Sequence, residues 1–230
     1  MRFKVLLIHS LIMDKTENHL DQLKEIREMM SRSSKFISLS GFSGIWVGSV
    51  ALIGMAAIFY AFPDYFYLRF TQNNSSFPEY MLRGGELASF IRFVLIDAVL
   101  VLFFAIEGAL FLTINKSKKQ GVSLWNDTAK RFLVSLIVPL AAGGMFIIIM
   151  SYHGLFGIAG PLTLIFYGLA LFNAGRYSLI EIRYLGLLEI ALGLLAAIFI
   201  GYTAIFWGIG FGVLHIVYGI VMYLKYDRDR

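Results

Sequence analysis

Six stretches of the chain are too long and too apolar to be surface elements of a protein folded in water: residues 36–62, 87–113, 131–151, 161–173, 184–201 and 204–224. The fourth is short as an apolar run and extends to 158–176 with little loss of apolar character. A helix needs about 20 predominantly apolar residues to cross the hydrocarbon core of a bilayer. Only helices and closed barrels satisfy their backbone there, and these runs do not alternate as barrel strands would. With 58% hydrophobic and 15% charged residues and a mean hydropathy of +0.74, too little polar surface remains for a soluble domain. The expected fold is an all-α integral membrane protein, with six transmembrane helices arranged as three in-out-in hairpins. Residues 1–34 form an N-terminal segment, 35–226 the transmembrane domain and 227–230 a tail.

The net charge of +5 is informative through its distribution. Of 20 basic residues, 17 fall before the first run, between the second and third or at the first residue of the third (Arg131), between the fourth and fifth, or after the sixth. The other intervals hold only Arg69 and Arg83, and Arg92 lies inside the second run. Lys and Arg accumulate on the cytoplasmic side of membrane proteins. Both termini are therefore expected in the cytoplasm, and no nucleic-acid partner is expected. "VLLIHSLIM" lacks a small-residue cleavage site and leads into a charged helix, so it does not read as a signal peptide. It reads either as an interfacial segment or as residues preceding a translation start at Met13.

Asp14 can cap a helix running through "KTENHLDQLKEIREMM", with Leu20, Leu23 and Met30 at helical spacing. Residues 14–34 thus form an amphipathic helix. It either rests on the bilayer or the protein's own loops, or serves a homo-oligomer or cytoplasmic protein partner. In the first apolar run, Gly41, Gly44 and Gly48 share one face. Small residues there let helices approach closely, within the chain or between copies. Pro139 and the Gly143–Gly144 pair are expected to kink the third run. Two weak echoes occur about fifty residues apart: "RFLVSL" with "RYLGLL", and "LIFYGLAL" with "HIVYGIVM".

Cysteine is absent, which removes disulfide, zinc-thiolate, iron–sulfur and thiol chemistry. No HExxH, GxSxG or P-loop pattern is present. A b-type haem would want two axial ligands, and His153 lies too far from His215 while His9 and His19 fall outside the runs. No cofactor, metal or catalytic residue is expected.

The ionisable residues inside the runs remain. Each costs about 3 kcal/mol to insert, so such groups face the bundle interior and have partners. Four are candidates: Asp97, Glu107, Glu189 and His215. Glu189 and His215 each lie 13 residues from Tyr202, the turn of the last hairpin, and so share a depth. Gly186 and Gly193 flank Glu189 on one stripe; Gly208, Gly212 and Gly219 accompany His215 on another. The expected arrangement is a buried polar pair on facing glycine stripes. It serves as a structural hydrogen bond, or as a proton-binding pair with coupled titrations. Asp97 and Glu107 are separate candidate ion or proton sites, about 15 Å apart along their helix.

The segments "RSSKFISLSGFSGIWVG", "WNDTAKRFLVSLIVPLAAGG", "IFYGLALFNAGRYSLIEIRYLGLLEI" and "FWGIGFGVLHIVYGIVMYLKYDR" resemble an uncharacterised family of small bacterial six-helix integral inner-membrane proteins. The resemblance covers nearly everything from residue 20 onward. It implies a bacterial inner membrane and carries over no catalytic or binding residues. The residues thus support two readings. One is a non-catalytic scaffold or sensor presenting the N-terminal helix to a partner. The other is a small transporter, channel or proton-coupled module using Asp97, Glu107, Glu189 and His215.

Overall fold

The computed structural model describes residues 41–63, 86–120 and 125–228, and every regular element among them is helical. The amphipathic helix expected over 14–34 and the loop between the first two spans lie outside the described residues. Helix α1 is Gly41–Ala61, α2 Glu86–Gln120, α3 Asp127–Tyr152, α4 Ala159–Ala174 and α5 Ile180–Ile198. The last span begins with a 3-10 turn, Ile200–Tyr202, and continues as α6, Thr203–Trp207. It then widens into a π-helical segment, Gly208–Leu214, before α7, His215–Met222, and a second π segment, Tyr223–Asp227.

Five helical stretches are long and apolar enough to cross a membrane: Gly41–Ala61, Ala88–Lys119, Asp127–Tyr152, Phe156–Tyr177 and Ile200–Asp227. The protein is therefore a multi-pass helical membrane protein by length and composition. The sixth expected span, α5, has 19 residues but carries Glu181, Arg183 and Glu189.

The helices stand in a row. Helix α2 packs on α1, α1 on the last span, the last span on α4 and α5, and α3 on the far side of α4. In lipid the drive for such contacts is close van der Waals fit rather than water exclusion, so small residues mark the seams. On the α1 seam, a Cβ on Gly44 would lie 2.9 Å from the Gly219 Cα, and one on Gly48 2.5 Å from the Gly212 carbonyl oxygen. On the α4–α5 seam, Gly168 and Gly186 face each other, each with its would-be Cβ 2.6 Å from the other's carbonyl oxygen. Trp46 of α1 lies over Gly108 of α2 and donates Nε1–H to the Phe104 carbonyl at 2.9 Å.

Helix α3 continues as helix, without a break, through Pro139. Proline has no N–H, so the Ser135 carbonyl loses its helical donor. Asn173 of α4 supplies the replacement, donating Nδ2–H to that oxygen at 3.1 Å. At its start, the Asn126 side chain accepts from the Ala129 N–H at 2.7 Å, a standard N-cap. At its end, Gly154 adopts φ 81°, the left-handed conformation that closes helices and favours glycine.

One end of the row is held by ion pairs. Asp227 accepts from the Gly41 N–H at 2.9 Å, capping α1, and pairs with Lys116 of α2 at 2.7 Å. Two residues earlier, Lys225 pairs with Glu181 in the first turn of α5 at 2.5 Å, and the Tyr226 hydroxyl donates to the same carboxylate at 3.0 Å. The end of the last span thereby ties α1, α2 and α5 together. Nearby, Phe132, Leu171, Ala174, Ile182 and Leu185 form the buried apolar cluster joining α3, α4 and α5.

Candidate functional site: a buried Glu–His–Tyr cluster

Two buried ionisable groups lie where α4, α5 and the last span meet. His215 is 3% exposed and Glu189 is completely buried. His215 Nδ1 lies 3.5 Å from Glu189 Oε1, so the two residues are neighbours at one depth. The hydrogen bonds of the imidazole nevertheless go elsewhere. Nδ1 donates to the Gly210 carbonyl oxygen at 3.0 Å, and Nε2 is 2.8 Å from the Tyr167 hydroxyl. A carbonyl only accepts, so Nδ1 carries the proton, and Nε2 of the neutral ring accepts from the Tyr167 O–H. Neither oxygen of Glu189 has a hydrogen-bond partner among the described residues.

Each position follows from local backbone. Tyr167 sits one residue before Gly168, one of the glycines at which α4 and α5 meet backbone to backbone. Gly210 belongs to the π segment, whose wider turn brings its carbonyl within reach of the imidazole five residues on. Gly210 also makes room for the carboxylate: a Cβ there would stand 2.5 Å from Glu189 Oε2 and 2.7 Å from Leu164 Cδ2. Phe211 lies beside both rings, with centroids 4.9 Å from Tyr167 and 6.1 Å from His215.

The glycines expected to bring the pair together do so indirectly. Gly186 and Gly193 face α4, while Gly208, Gly212 and Gly219 face α1 through Met55, Leu52 and Ile45. The two stripes therefore do not face each other, because each helix turns its small residues toward its outer neighbour. Gly41, Gly44 and Gly48 are likewise occupied by the last span of the same chain.

Asp97 and Glu107 are elsewhere. Asp97 is half-buried on the α1–α2 seam, its Oδ2 3.0 Å from a would-be Gly54 Cβ. Glu107, expected inside the bundle, is exposed. Helix α2 faces α1 with Val101, Phe104 and Gly108, and Glu107 falls off that stripe beside exposed Phe103, Ile106 and Phe111. Among the described residues no three His, Cys, Asp or Glu side chains gather as a metal site would require.

Sequence reasoning missed Tyr167 and Gly210. The one available signal was the echo of "LIFYGLAL" in "HIVYGIVM", which sets Tyr167 against Tyr218. No family model matches the chain, and no curated protein or solved structure shows significant similarity to it.

Proposed function

We propose that the protein is a non-catalytic scaffold or sensor of a bacterial inner membrane. It crosses the bilayer six times in three in-out-in hairpins, with both termini in the cytoplasm, and offers residues 14–34 to a cytoplasmic partner. The alternation of basic segments along the chain supports the orientation. Helix α5 fits as the sixth span because two of its three ionisable residues are accommodated near one end. Glu181 is paired with Lys225, and the Arg183 guanidinium lies 4.9 Å from the Phe172 ring centre. Only Glu189 remains at mid-helix. The resemblance of the four quoted segments supports the bacterial assignment.

One observation carries the functional reading: the four ionisable candidates do not converge. Glu107 is exposed, Asp97 lies on the α1–α2 seam, and Glu189 and His215 are enclosed between glycine-packed seams. A transport route would require these groups to line one polar path. Proteoliposomes holding a pH-sensitive dye and driven by a potassium diffusion potential test this. Proton flux no greater than that of empty vesicles is expected. Flux that Glu189→Gln abolishes would overturn the scaffold-or-sensor reading in favour of a proton-coupled transporter.

A further inference from the structure

Helix α2 stands at the end of the row, packed on α1 through Asp97, Val101 and Gly108. Its outward side carries a single polar group. Between Arg92 and Lys116 every other exposed residue is apolar, and Glu107 alone interrupts them. Glu107 lies fifteen residues from Arg92 and nine from Lys116, about 22 Å and about 14 Å along the axis, so neither base stands beside it. It has no hydrogen bond or ion pair among the described residues. A carboxyl group turned to lipid within a span is costly, and acidic groups inside membranes pair with one another or with other polar groups. The residues around it are ordered. Ile96, Leu100, Phe103, Glu107, Leu110 and Ile114 follow at spacings of four, three, four, three and four, and all six are exposed. That alternation keeps one seam of a helix against another in a left-handed coiled coil, the commonest packing between membrane helices. With flanking Val99 and Ile106, both exposed, the seam offers roughly 600 Å² of side-chain surface per copy, so a pair would bury roughly 1,200 Å², the lower end of what specific interfaces bury.

We propose that the outward seam of α2 is the interface of a homodimer, in which Glu107 of one copy is hydrogen-bonded to Glu107 of the other. This goes beyond the cytoplasmic role proposed for residues 14–34 and does not depend on it. The choice of occupant follows from depth and charge. Copies in one membrane share an orientation, so a two-fold axis between them runs along the membrane normal and sets like residues at like depth. A different protein would need a polar group at that depth; a second copy brings one by symmetry. The bases of α2 in the second copy lie as far from that depth as those of the first. The pairing is therefore between carboxyl groups, the O–H of one donating to an oxygen of the other. An apolar seam alone associates weakly in lipid, because lipid tails cover it as well. The carboxyl pair supplies an interaction that lipid tails cannot, and a single polar residue in a seam fixes its register and the number of strands.

Förster transfer between donor- and acceptor-labelled copies of the full chain, in phosphatidylcholine vesicles diluted with increasing lipid, tests the proposal. The dyes sit on a single cysteine at Lys119, and the chain has no native cysteine to interfere. Transfer above that of random proximity is expected. Glu107→Leu should weaken the dimer about tenfold, equivalent to about 1.4 kcal/mol. Glu107→Gln keeps a neutral donor and acceptor at the same place and should dimerise nearly as the parent chain does. Single cysteines at Leu100 or Leu110, in the seam, should form a disulfide between copies on oxidation with iodine. One at Leu102, 61% exposed but off the seam, should not. Circular dichroism shows whether each variant is folded, and the cross-links stand independently of the Glu107 variants. Transfer no greater than random would leave the face to lipid or to a different protein and would overturn the proposal. So would cross-linking at Leu102 as strong as at Leu100, or an unchanged dimer in Glu107→Leu. Loss of the dimer on deleting residues 14–34, with no effect of Glu107→Leu, would place association in that segment and overturn it as well.

Discussion

Removing the Tyr167 hydroxyl leaves His215 Nε2 buried with no donor, and this distinguishes the observed network from a simple Glu–His pair. Tyr167→Phe and His215→Leu should each destabilise the protein, with a coupling of about 0.6 to 1.7 kcal/mol, the range seen for interhelical hydrogen bonds in membranes. A double-mutant cycle read by SDS unfolding measures it, and strict additivity would show the bond to be absent. Glu189→Gln should couple less strongly to His215→Leu, because 3.5 Å separates Oε1 from Nδ1 and that nitrogen already donates to Gly210. Equal depth about Tyr202 was sufficient to read Glu189 and His215 as neighbours. Tyr167 was not legible, because a tyrosine inside an apolar run looks like any other aromatic until a partner is known. Gly210 was missed for a different reason: Gly208 and Gly212 fit regular helical spacing, and only the wider π turn brings the Gly210 carbonyl to the imidazole.

Between elements, the polar repair at Pro139 and the glycine seams carry the sharpest expectations. Asn173→Ala should cost about 1–3 kcal/mol by leaving the Ser135 carbonyl unpaired. In a Pro139→Ala background the restored N–H serves that carbonyl, so the same change should cost markedly less. Equal costs in both backgrounds, measured by thermal unfolding in detergent, would contradict the repair. Gly219→Ala should destabilise by about 1–3 kcal/mol, since the added carbon would stand 2.5 Å from the Ile45 nitrogen and 2.6 Å from the Gly41 oxygen, both backbone atoms. Gly144→Ala meets nothing within 4 Å, and the gain in helix propensity is at most about 1 kcal/mol. Helix positions were legible because bilayer thickness sets their length: the run 131–151 became Asp127–Tyr152. Helix α5 begins before the run at 184 because Glu181 and Arg183 look like loop residues in sequence, whereas Lys225 and Phe172 receive them in the fold. Which face of each helix meets which neighbour was not legible, since glycines line both sides of the last hairpin.

At the scale of the whole molecule, the row of helices is joined at one end by Asp227 and Lys225 and encloses its polar centre midway along the last two helices. If residues 14–34 serve a partner rather than the bundle, their deletion should leave a folded, monodisperse protein in detergent; aggregation or unfolding would make them part of the core. A cysteine at Ser75 should be labelled in intact spheroplasts, as the expected orientation requires. Glu189 lies within the bilayer only if α5 crosses it, in spite of its three ionisable residues, and the buried site depends on that crossing. The direct measurement is labelling of single cysteines at Arg176 and Gly201, on either side of α5, with a membrane-impermeant maleimide in right-side-out vesicles, feasible because the chain has no native cysteine. Gly201→Cys should react in sealed vesicles and Arg176→Cys only after they are opened. Equal reactivity of the two from one side would show that α5 does not cross, and would contradict a mid-membrane Glu189–His215–Tyr167 site.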